Sequence, residues 1–518
     1  MLFADLLDRG AGIDAQADAF VEGDTSWTFA QVQRFTYRFA RRLKDLGYGP
    51  GDKGSILSFN SSLGFQCAFG LHRAGLAWIP ANPRNSAKDT HYVLDAFDCR
   101  ILVFHSAFVD MVRALRPRWP KIGVYICLDR ELDEFPSLEQ WLAGVDDSPV
   151  YVDSARDAIA AVTPTGGTTG RSKGVIITQR NLYTMVASYM ICFAYRATER
   201  PVNMAAAPLT HAAGMLSLPT LARGGKVIIL PKPDLGLMLD VIERHAVTEF
   251  FLPPTVIYRL LEHPGVESRN FSSVRYFGYG SAPMSMNKLR RAIEVFGPCM
   301  TQYFGQSEAP ALCTFLGPDE HVSDGAPASD EVLSSCGRPT PMTQLRIVDD
   351  DNRVLPPGQI GEVCVHGDLV TPGYYNQPDL TAATIVDGWL HTGDIGFFDP
   401  AGRLHLCDRK KDMIITGGLN VYPQEIEQVI WGHPDVQDCA VIGIPDEEWG
   451  ELVTAVVELN PGAKLSADEI MTLCKTRLGS VKTPKRVDFV PELPRSPNGK
   501  VLKRDLRERY WAGSGRQI

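Results

Sequence analysis

The chain has 518 residues, of which 44% are hydrophobic and 22% are charged, and its formal net charge is −9. A single hydrophobic core stops growing near ~250–300 residues, so this length predicts at least two globular domains. The negative charge argues against a nucleic-acid-binding protein, which needs a basic surface to release phosphate counterions. A local basic site for a small phosphate ligand stays compatible with this charge.

Neither a secretion signal nor a membrane span is predicted. The N-terminus places Asp5 and Asp8 among its first residues and lacks the basic start and apolar run of a signal peptide. The most apolar long segment, residues 205–222, contains His211 and two prolines, so it predicts a buried core or a pocket wall. The eleven cysteines are odd in number and scattered, which predicts neither a disulfide framework nor a zinc site. We therefore expect a protein of the reducing cytoplasm.

Short apolar runs alternate with amphipathic stretches from about residue 52 to residue 365. This alternation predicts an α/β architecture with mainly parallel sheets. Strands are predicted at residues 54–57, 101–104, 226–230 and 249–252. Apolar residues at helical spacing predict helices at residues 35–46, 235–245 and 286–296.

A segment rich in glycine and threonine spans residues 163–174. Its glycines let the backbone adopt positive φ and turn N–H groups inward, a nest that binds anions. Thr165, Thr168 and Thr169 add hydroxyl donors and Lys173 adds positive charge, which together suit a polyphosphate. A flexible surface turn is the alternative. The lysine is followed by glycine, so this is not a Walker A loop, and the apolar flanks predict strand–loop–strand.

A charged run at residues 408–412 separates two apolar runs. Such a run is typical of a solvated turn, and the alternative is a hinge between domains. Roughly a hundred residues follow it, enough for a small separate domain. We predict an N-terminal domain at residues 1–407, a hinge at 408–411 and a C-terminal domain at 412–518.

Further motifs follow the glycine-rich segment in chain order: PLTHAAG at 208–214, GSAP at 280–283, QYFGQSE at 302–308, WLHTGD at 389–394, DRKKD at 408–412, GGLN at 417–420, PQEIE at 423–427 and PRSPNGK at 494–500. This series resembles the motifs of the adenylate-forming superfamily: acyl-CoA synthetases, firefly luciferases and peptide-synthetase adenylation domains. The resemblance covers essentially the whole chain and is closest in type to bacterial fatty-acid or aryl acyl-CoA synthetases. It implies a large N-terminal domain of β-sheets packed with helices and a small, mobile α+β C-terminal domain.

The resemblance also implies residue roles at a nucleotide site. Glu308 and Thr168 would hold Mg²⁺, Phe304 would stack on adenine, and Asp394 would bind the ribose hydroxyls. The residues implied to bind ATP or coenzyme A are Thr165, Gly166, Gly167, Thr168, Thr169, Gly170, Lys173, Gly280, Ser281, Ala282, Gln302, Tyr303, Phe304, Ser307, Asp394, Arg409, Gly417 and Gly418.

Three side chains are implied to be catalytic: Lys500, Glu308 and His211. Lys500 would bridge the acid and the α-phosphate, and His211 would line the acyl pocket. Lys411 is implied to be a one-residue hinge about which the C-terminal domain rotates. That rotation would withdraw Lys500 and bring Gly417 and Gly418 to line a pantetheine tunnel.

The acyl pocket is predicted to accept an apolar acid (fatty, aryl or alicyclic), because no basic residue obviously faces it. Tyr279 either shortens the pocket or points elsewhere. The candidate walls are His211, Gly214, Met215, Tyr279, Gly280 and Gly305.

The chain departs from the commonest family pattern at four positions, none of which removes an essential group. Gly166 and Ser172 stand where serine and proline are usual. Phe304 replaces tyrosine and keeps a stacking face, while Ser307 replaces threonine and keeps a hydroxyl.

The resemblance implies an ATP-dependent, AMP-forming carboxylic acid–CoA ligase that uses ATP, Mg²⁺ and coenzyme A. The alternatives are a ligase that loads a carrier protein, a luciferase-like oxygenase and a catalytically silent nucleotide-binding relative. The presence of Lys500, Glu308 and Asp394 disfavours the silent relative, and only 18 residues follow Lys500, too few for a carrier-like domain. A homodimer is the default expectation for the oligomeric state.

Overall fold

The computed structural model describes residues 3–165, 172–495 and 501–511. Within these ranges the strands are β1 Asp18–Glu22, β2 Thr25–Thr28, β3 Lys53–Leu57, β4 Ala77–Ile79, β5 Ile101–Phe104, β6 Val124–Cys127, β7 Ile159–Thr165, β8 Lys173–Thr178, β9 Val202–Ala205, β10 Lys226–Ile229, β11 Glu249–Phe251, β12 Tyr276–Tyr279, β13 Met300–Phe304, β14 Thr314–Leu316, β15 Val322–Ser323, β16 Ala326–Pro327, β17 Arg338–Pro339, β18 Gln344–Val348, β19 Gly361–His366, β20 Ile385–Val386, β21 Trp389–Phe398, β22 Leu404–Arg409, β23 Ile414–Thr416, β24 Leu419–Val421, β25 Val436–Asp446, β26 Gly450–Leu459 and β27 Arg486–Val490. The α-helices are α1 Phe3–Ile13, α2 Phe29–Asp45, α3 Ser62–Arg73, α4 Ala87–Ala96, α5 Val109–Leu115, α6 Leu138–Trp141, α7 Gln179–Cys192, α8 Ala212–Ala222, α9 Leu235–His245, α10 Pro254–Leu261, α11 Met286–Phe296, α12 Pro318–His321, α13 Asp330–Leu333, α14 Pro378–Thr384, α15 Pro423–Trp431, α16 Ala467–Lys482 and α17 Lys503–Trp511.

The helices at residues 235–245 and 286–296 have the predicted bounds. Helix α2 begins six residues earlier than predicted, at Phe29. The reason is local: Thr28 accepts a hydrogen bond from the backbone N–H of Gln31, whose side chain in turn accepts one from the N–H of Thr28. This capping box satisfies backbone donors that a helix end otherwise leaves unpaired.

A six-stranded sheet has the order β6-β5-β3-β4-β7-β8. Its first five strands run parallel, and β8 is antiparallel to β7. Strands β7 and β8 flank the glycine-rich segment, so the predicted strand–loop–strand arrangement is confirmed. The pairing places Thr165 opposite Lys173, while residues 166–171 lie outside the described residues.

A nine-stranded sheet has the order β17-β14-β13-β12-β11-β9-β10-β1-β2. The six strands from β13 to β1 in this order are parallel to one another, while β14 and β2 run antiparallel at either side of them. Ligand sites of open parallel sheets lie beyond the carboxyl ends of the strands. Strands β9 and β12 end just before the motifs at 208–214 and 280–283, and β13 runs into the motif at 302–308. One sheet edge therefore gathers motifs that are about a hundred residues apart.

Two further sheets have five strands each and are mainly antiparallel. Strands β18 to β22 form one of them, in which Asp394 of β21 pairs with Arg409 of β22. Strand β22 continues to Arg409, so the predicted hinge at residues 408–411 begins inside a strand. Strands β23 to β27 form the other sheet, which packs with α15, α16 and α17 around a core of its own.

None of the helices in the described ranges is long and apolar enough to cross a membrane. All eleven cysteines carry free thiols, and every one except Cys192 is buried.

Candidate active site

His211 lies at the start of a helix, where the motif at 208–214 leaves β9. It is the N-cap residue of α8, and its Nδ1 is 2.9 Å from the Thr210 hydroxyl. Asn60 supports this turn because its amide donates to the Ala207 carbonyl at 2.9 Å and its Oδ1 accepts from Leu209 N at 2.9 Å. Asn60 follows β3 in the other sheet and belongs to none of the sequence motifs.

The backbone is strained where the next motif leaves β12. Ser281 has a φ of 67°, a left-handed conformation that costs a residue other than glycine ~1–3 kcal/mol. Gly280 is buried, whereas Ser281 is exposed and Ala282 partly exposed. The predicted nucleotide contact from this motif is therefore accessible at the sheet edge.

The two aromatic residues of β13 point to opposite faces of the sheet, as successive strand residues do. Phe304 and Gln302 are both partly exposed and share one face. Tyr303, which was predicted to bind the nucleotide, is 7% exposed and packs with Tyr189 and Phe251 on the other face. Of the two rings, only Phe304 is placed to stack on a ligand at the nucleotide side.

Glu308 and Lys173 are connected by a tyrosine that the sequence analysis missed. The Tyr374 hydroxyl donates to Glu308 Oε1 at 2.8 Å, and Lys173 Nζ lies 5.3 Å from the centre of the Tyr374 ring. Burial and the Glu308 carboxylate both raise the pKa of Tyr374, so it stays a hydrogen-bond donor. Thr371 N also donates to the Glu308 carbonyl at 2.8 Å. A carboxylate and an ammonium group are thereby held against one tyrosine side chain.

The Asp394 carboxylate is 6% exposed and is already engaged in the structure. Its Oδ2 accepts from Gln306 Nε2 at 2.6 Å, and its Oδ1 is 3.2 Å from Arg409 Nε. Gln306 was not predicted and joins the motif at 302–308 to Asp394.

The described residues fit a magnesium ion that is shared with phosphates. They contain no group of three His, Cys, Asp or Glu side chains that could hold a metal by itself. Mg²⁺ in nucleotide sites is typically held by one or two carboxylates together with phosphate oxygens and water. Glu308 supplies one carboxylate, whose Oε2 has no hydrogen-bond donor among the described residues. Thr168, the other predicted ligand, lies outside them.

Gly417 and Gly418 form the two-residue turn of the hairpin between β23 and β24. Their φ values are 56° and 78°, and positive φ at both positions defines the hairpin turn that right-twisted strands favour. The conformation therefore requires these glycines independently of any close approach to pantetheine. Both are exposed, and the Trp449 ring lies 3.0 Å from where a Cβ of Gly417 would stand.

Lys411 lies in a tight turn in which Asp412 N donates to the Arg409 carbonyl at 2.9 Å. Arg507 of α17 donates to the Lys411 carbonyl at 3.1 Å and to Asp412 Oδ1 at 2.5 Å. The predicted catalytic Lys500 lies outside the described residues, and α17 begins three residues after it. The predicted hinge is thus in contact with the helix that follows the Lys500 segment.

Tyr279, considered above as a pocket wall, points elsewhere. It is 1% exposed, and its hydroxyl lies 2.9 Å from His321 Nε2. It packs in the core on the face of the sheet that its strand partner Gln302 shares, opposite to the face of Tyr303. Gly214 faces the backbone of its own turn, since a Cβ there would stand 2.0 Å from the Leu209 carbonyl oxygen. Neither residue shapes the acyl side of the sheet with a side chain.

The chain belongs to the AMP-binding enzyme family. The model of that family matches residues 7–375, and the model of the AMP-binding enzyme C-terminal domain matches residues 425–500. The predicted membership of the adenylate-forming superfamily is therefore confirmed.

Curated relatives match along almost the whole chain. A medium/long-chain-fatty-acid–CoA ligase of Mycobacterium tuberculosis is 36% identical over 96% of this chain and 88% of its own length. A feruloyl-CoA synthase of Amycolatopsis is 34% identical over 97% of this chain and 98% of its own length. The ATP-bound crystal structure of MatB from Rhodopseudomonas palustris superposes with a TM-score of 0.89, with 30% identity over 98% of this chain and 99% of that one.

These similarities confirm the predicted fold class and enzyme class. The protein has the α/β fold of the adenylate-forming enzymes, with a large N-terminal and a small C-terminal part. It is an ATP-dependent, AMP-forming acid–CoA ligase, with ATP and coenzyme A as co-substrates and Mg²⁺ as its metal.

Proposed function

We propose that this protein converts an apolar carboxylic acid (fatty, aryl or alicyclic) into its acyl-adenylate and transfers the acyl group to the thiol of coenzyme A. The observation that carries the proposal is a connected set of polar groups: Tyr374 joins Glu308 to Lys173, and Gln306, two residues before Glu308, donates a hydrogen bond to Asp394. The curated relatives, a fatty-acid–CoA ligase and a feruloyl-CoA synthase, support an apolar acid.

The first step joins two anions, so its main requirement is charge neutralisation. A carboxylate oxygen of the acid attacks the α-phosphorus of ATP, and the bond to the leaving pyrophosphate breaks. Lys173 and the glycine-rich segment hold the phosphates, and Lys500 bridges the acid and the α-phosphate as charge shifts in the transition state. Magnesium, when bound beside Glu308 and Thr168, supplies further positive charge to the phosphate oxygens.

Residues on either side of the sheet edge position the nucleotide. Asp394 accepts hydrogen bonds from the ribose hydroxyls, and Arg409 lies beside it at 3.2 Å. Phe304 presents its face to adenine, next to the backbone of residues 280–282. Fixed orientation of this kind can contribute up to ~7–11 kcal/mol to lowering a barrier.

The second step needs a rearrangement, for which we assign the hinge to Lys411. Residues 1–407 form the adenylation domain, 408–411 the connection and 412–518 the mobile domain. In the structure the Gly417–Gly418 turn is exposed, and among the described residues other than its chain neighbours no atom lies within 4 Å of where a Cβ of Gly418 would stand. This is consistent with an arrangement in which the turn has not yet entered a tunnel. The thiolate then attacks the acyl carbonyl, and AMP leaves.

A Lys500→Ala variant tests the adenylation role. It should lose acid-dependent exchange of pyrophosphate into ATP by at least about a hundredfold, since the developing charge loses its cation. It should still convert supplied acyl-adenylate into thioester with coenzyme A, which controls for folding. Near-normal exchange would reject the assignment of Lys500.

The acceptor is tested separately, because a ligase that loads a carrier protein shares every adenylation motif. Purified protein is given ATP and a panel of carboxylic acids with no acceptor, with coenzyme A, or with a phosphopantetheinyl carrier protein. Thioester formation with free coenzyme A supports the proposal. Thioester formation with the carrier protein alone would favour the alternative.

For the location we propose the cytoplasm, because eleven free thiols suit a reducing compartment. Fractionation of the source cells with compartment markers tests this. Recovery in an oxidising compartment would contradict it.

A further inference from the structure

A cluster of aromatic side chains lies behind the acyl side of the sheet edge. Its members Tyr189, Phe193, Phe251, Tyr276 and Tyr303 are each at most 7% exposed. The ring centres of Tyr189 and Tyr303 are 5.9 Å apart in an edge-to-face arrangement, and those of Phe251 and Tyr303 are 5.7 Å apart. We call these five residues the aromatic wall.

The aromatic wall belongs to the same side of the sheet as His211. Strand register places Phe251 beside Gly278, and Tyr303 follows two residues after the partner of Gly278, so both rings share one face. Gly278 is needed there because a Cβ would stand 2.3 Å from the Tyr303 hydroxyl oxygen. Leu216, one turn into the helix that His211 caps, packs into the same cluster.

Small residues lie in front of the aromatic wall. Ala207 precedes His211, Ala212 follows it, and Ala311 comes from the segment after β13; all three are partly buried against the cluster. Because each of the three carries only a methyl group, they occupy less space beside the rings than longer side chains would. Aromatic edges and faces attract another ring more specifically than they attract a flexible chain.

A buried polar network closes the far side of the aromatic wall. Glu249 is 5% exposed, accepts a hydrogen bond from Thr220, and neighbours Tyr195. Burial raises the pKa of Glu249, against the effect of its hydrogen bonds. Thr220 lies nine residues after His211 along one helix, which corresponds to ~14 Å. A long alkyl chain would have to break this network in order to extend past it.

We propose that the acid is an arylalkanoic or arylalkenoic acid with a single ring on a short chain, whose ring rests on the aromatic wall, and that the wall together with the Glu249 network excludes long-chain fatty acids. This inference rests on the proposed function and narrows its substrate. Tyr303 is the member of the aromatic wall that belongs to the motif at 302–308, so its removal tests the length limit.

The test compares 3-phenylpropanoate with palmitate as substrates of the full-length protein, by pyrophosphate release with ATP and Mg²⁺. We expect kcat/KM to favour 3-phenylpropanoate by at least about tenfold, the scale on which a pocket discriminates by size. In a Tyr303→Ala variant the ratio should shift toward palmitate by about tenfold or more. Because both acids are measured on one preparation, partial unfolding cancels from the ratio.

A Phe250→Ala variant is the matched control. Phe250 is on β11 next to Phe251 but faces the other core and is 3% exposed, so its loss should leave the ratio unchanged. A wild-type preference for palmitate, or an unchanged ratio in Tyr303→Ala, would overturn the inference while leaving the ligase activity intact. Absence of pyrophosphate release with every acid would instead overturn the proposed function.

Discussion

At the scale of single residues, Tyr374 joins groups from two separate segments of the chain. Its hydroxyl meets Glu308 and its ring lies beneath Lys173, although these residues are far apart in the sequence. Gln306 orients Asp394 in a similar way, through a hydrogen bond from its side-chain amide. Neither residue carries charge, and both act by holding a charged neighbour in one orientation.

A Tyr374→Phe variant keeps the ring and removes the hydrogen bond to Glu308. A hydrogen bond to a charged group contributes about 1.5–3 kcal/mol, so kcat/KM for ATP in the adenylation step should fall by roughly ten- to a hundredfold. The apparent Mg²⁺ requirement should rise, since Glu308 is no longer oriented. Tyr375→Phe is the control, because the Tyr375 hydroxyl donates to Asp98 at 2.6 Å, away from Glu308. Equal kinetics in both variants would contradict the assignment.

Buried His72 makes stability depend on pH. It is 1% exposed, stacks on Phe3, and neither ring nitrogen has a hydrogen-bond partner among the described residues. Burial lowers the pKa of His72 to about 3, so the unfolded chain binds a proton that the folded chain rejects as pH falls below ~6.5. His72 does not lower the free energy of unfolding above pH ~6.5. Below that pH the free energy of unfolding falls by up to about 1.4 kcal/mol per pH unit because of this group. We expect the free energy of unfolding, measured by denaturant titration at several pH values, to fall less steeply with decreasing pH in His72→Phe than in the wild type. An identical pH dependence in the two proteins would contradict this assignment.

At the scale of elements, helix α17 fastens the end of the chain to the predicted hinge. Lys503 and Arg507, one turn apart, share a face. Lys503 Nζ is 2.7 Å from Glu427 Oε1 of α15, and Arg507 binds the turn around Lys411. Burial alone would lower the pKa of Lys503, but the carboxylates of Glu427, Asp408 and Asp412 outweigh it and raise that pKa. Lys503 therefore keeps its charge within the core of the C-terminal part.

Removing one partner of this buried pair should cost far more than removing both. Lys503→Met leaves the Glu427 carboxylate buried without its cation, and we expect a loss of about 3–5 kcal/mol in the free energy of unfolding. In the wild type Val441 N donates to Glu427 Oε1 at 2.7 Å. Adding Glu427→Gln should restore most of the lost free energy of unfolding, because the amide oxygen of glutamine can still accept this hydrogen bond. Denaturant titrations of the two single variants and the double variant check this. Additive losses would contradict it.

At the scale of the whole molecule, helix α15 links the C-terminal sheet and its helices to the earlier part of the chain. Gln428 of α15 donates to the Met284 carbonyl at 3.0 Å, and Gln424 N donates to Asp408 at 3.0 Å. Both hydrogen bonds are partly buried, and a typical hydrogen bond contributes about 0.5–1.5 kcal/mol net. Rotation about a hinge at Lys411 would break the bond between Gln428 and Met284 at about that cost.

A Lys411→Pro variant tests that hinge. Proline fixes φ near −65°, and the Lys411 amide donates no hydrogen bond among the described residues, so the observed arrangement loses no such bond. We expect adenylation to stay within about threefold of wild type and thioester formation to fall by at least about a hundredfold, the scale of catalytic misplacement. Lys411→Ala, which keeps φ free, should retain both steps. Equal losses of both steps in Lys411→Pro would indicate misfolding rather than a blocked rotation.

The sequence by itself determined the enzyme class, because the chemistry of binding a nucleotide requires particular residues in local runs. The glycine–threonine segment, the charged residues Glu308 and Asp394, and the strand–loop–strand arrangement were all readable from residues adjacent in the chain. Only the tertiary structure decided how these runs meet. Tyr374 and Asn60 act on residues far away in sequence, and no local pattern marks them. Gln306 lies in the motif at 302–308, but that motif does not reveal its contact with Asp394.

The direction of side chains was likewise decided by the tertiary structure. Tyr303 and Tyr279 each look able to reach a ligand in the sequence, yet the pleat of the sheet turns Tyr303 onto the aromatic wall and Tyr279 toward His321. A strand alternates its side chains between two faces, but the sequence does not say which layer covers which face. That choice depends on the packing of α7 and α8 against the nine-stranded sheet, and it is this packing that shapes the acyl side of the site.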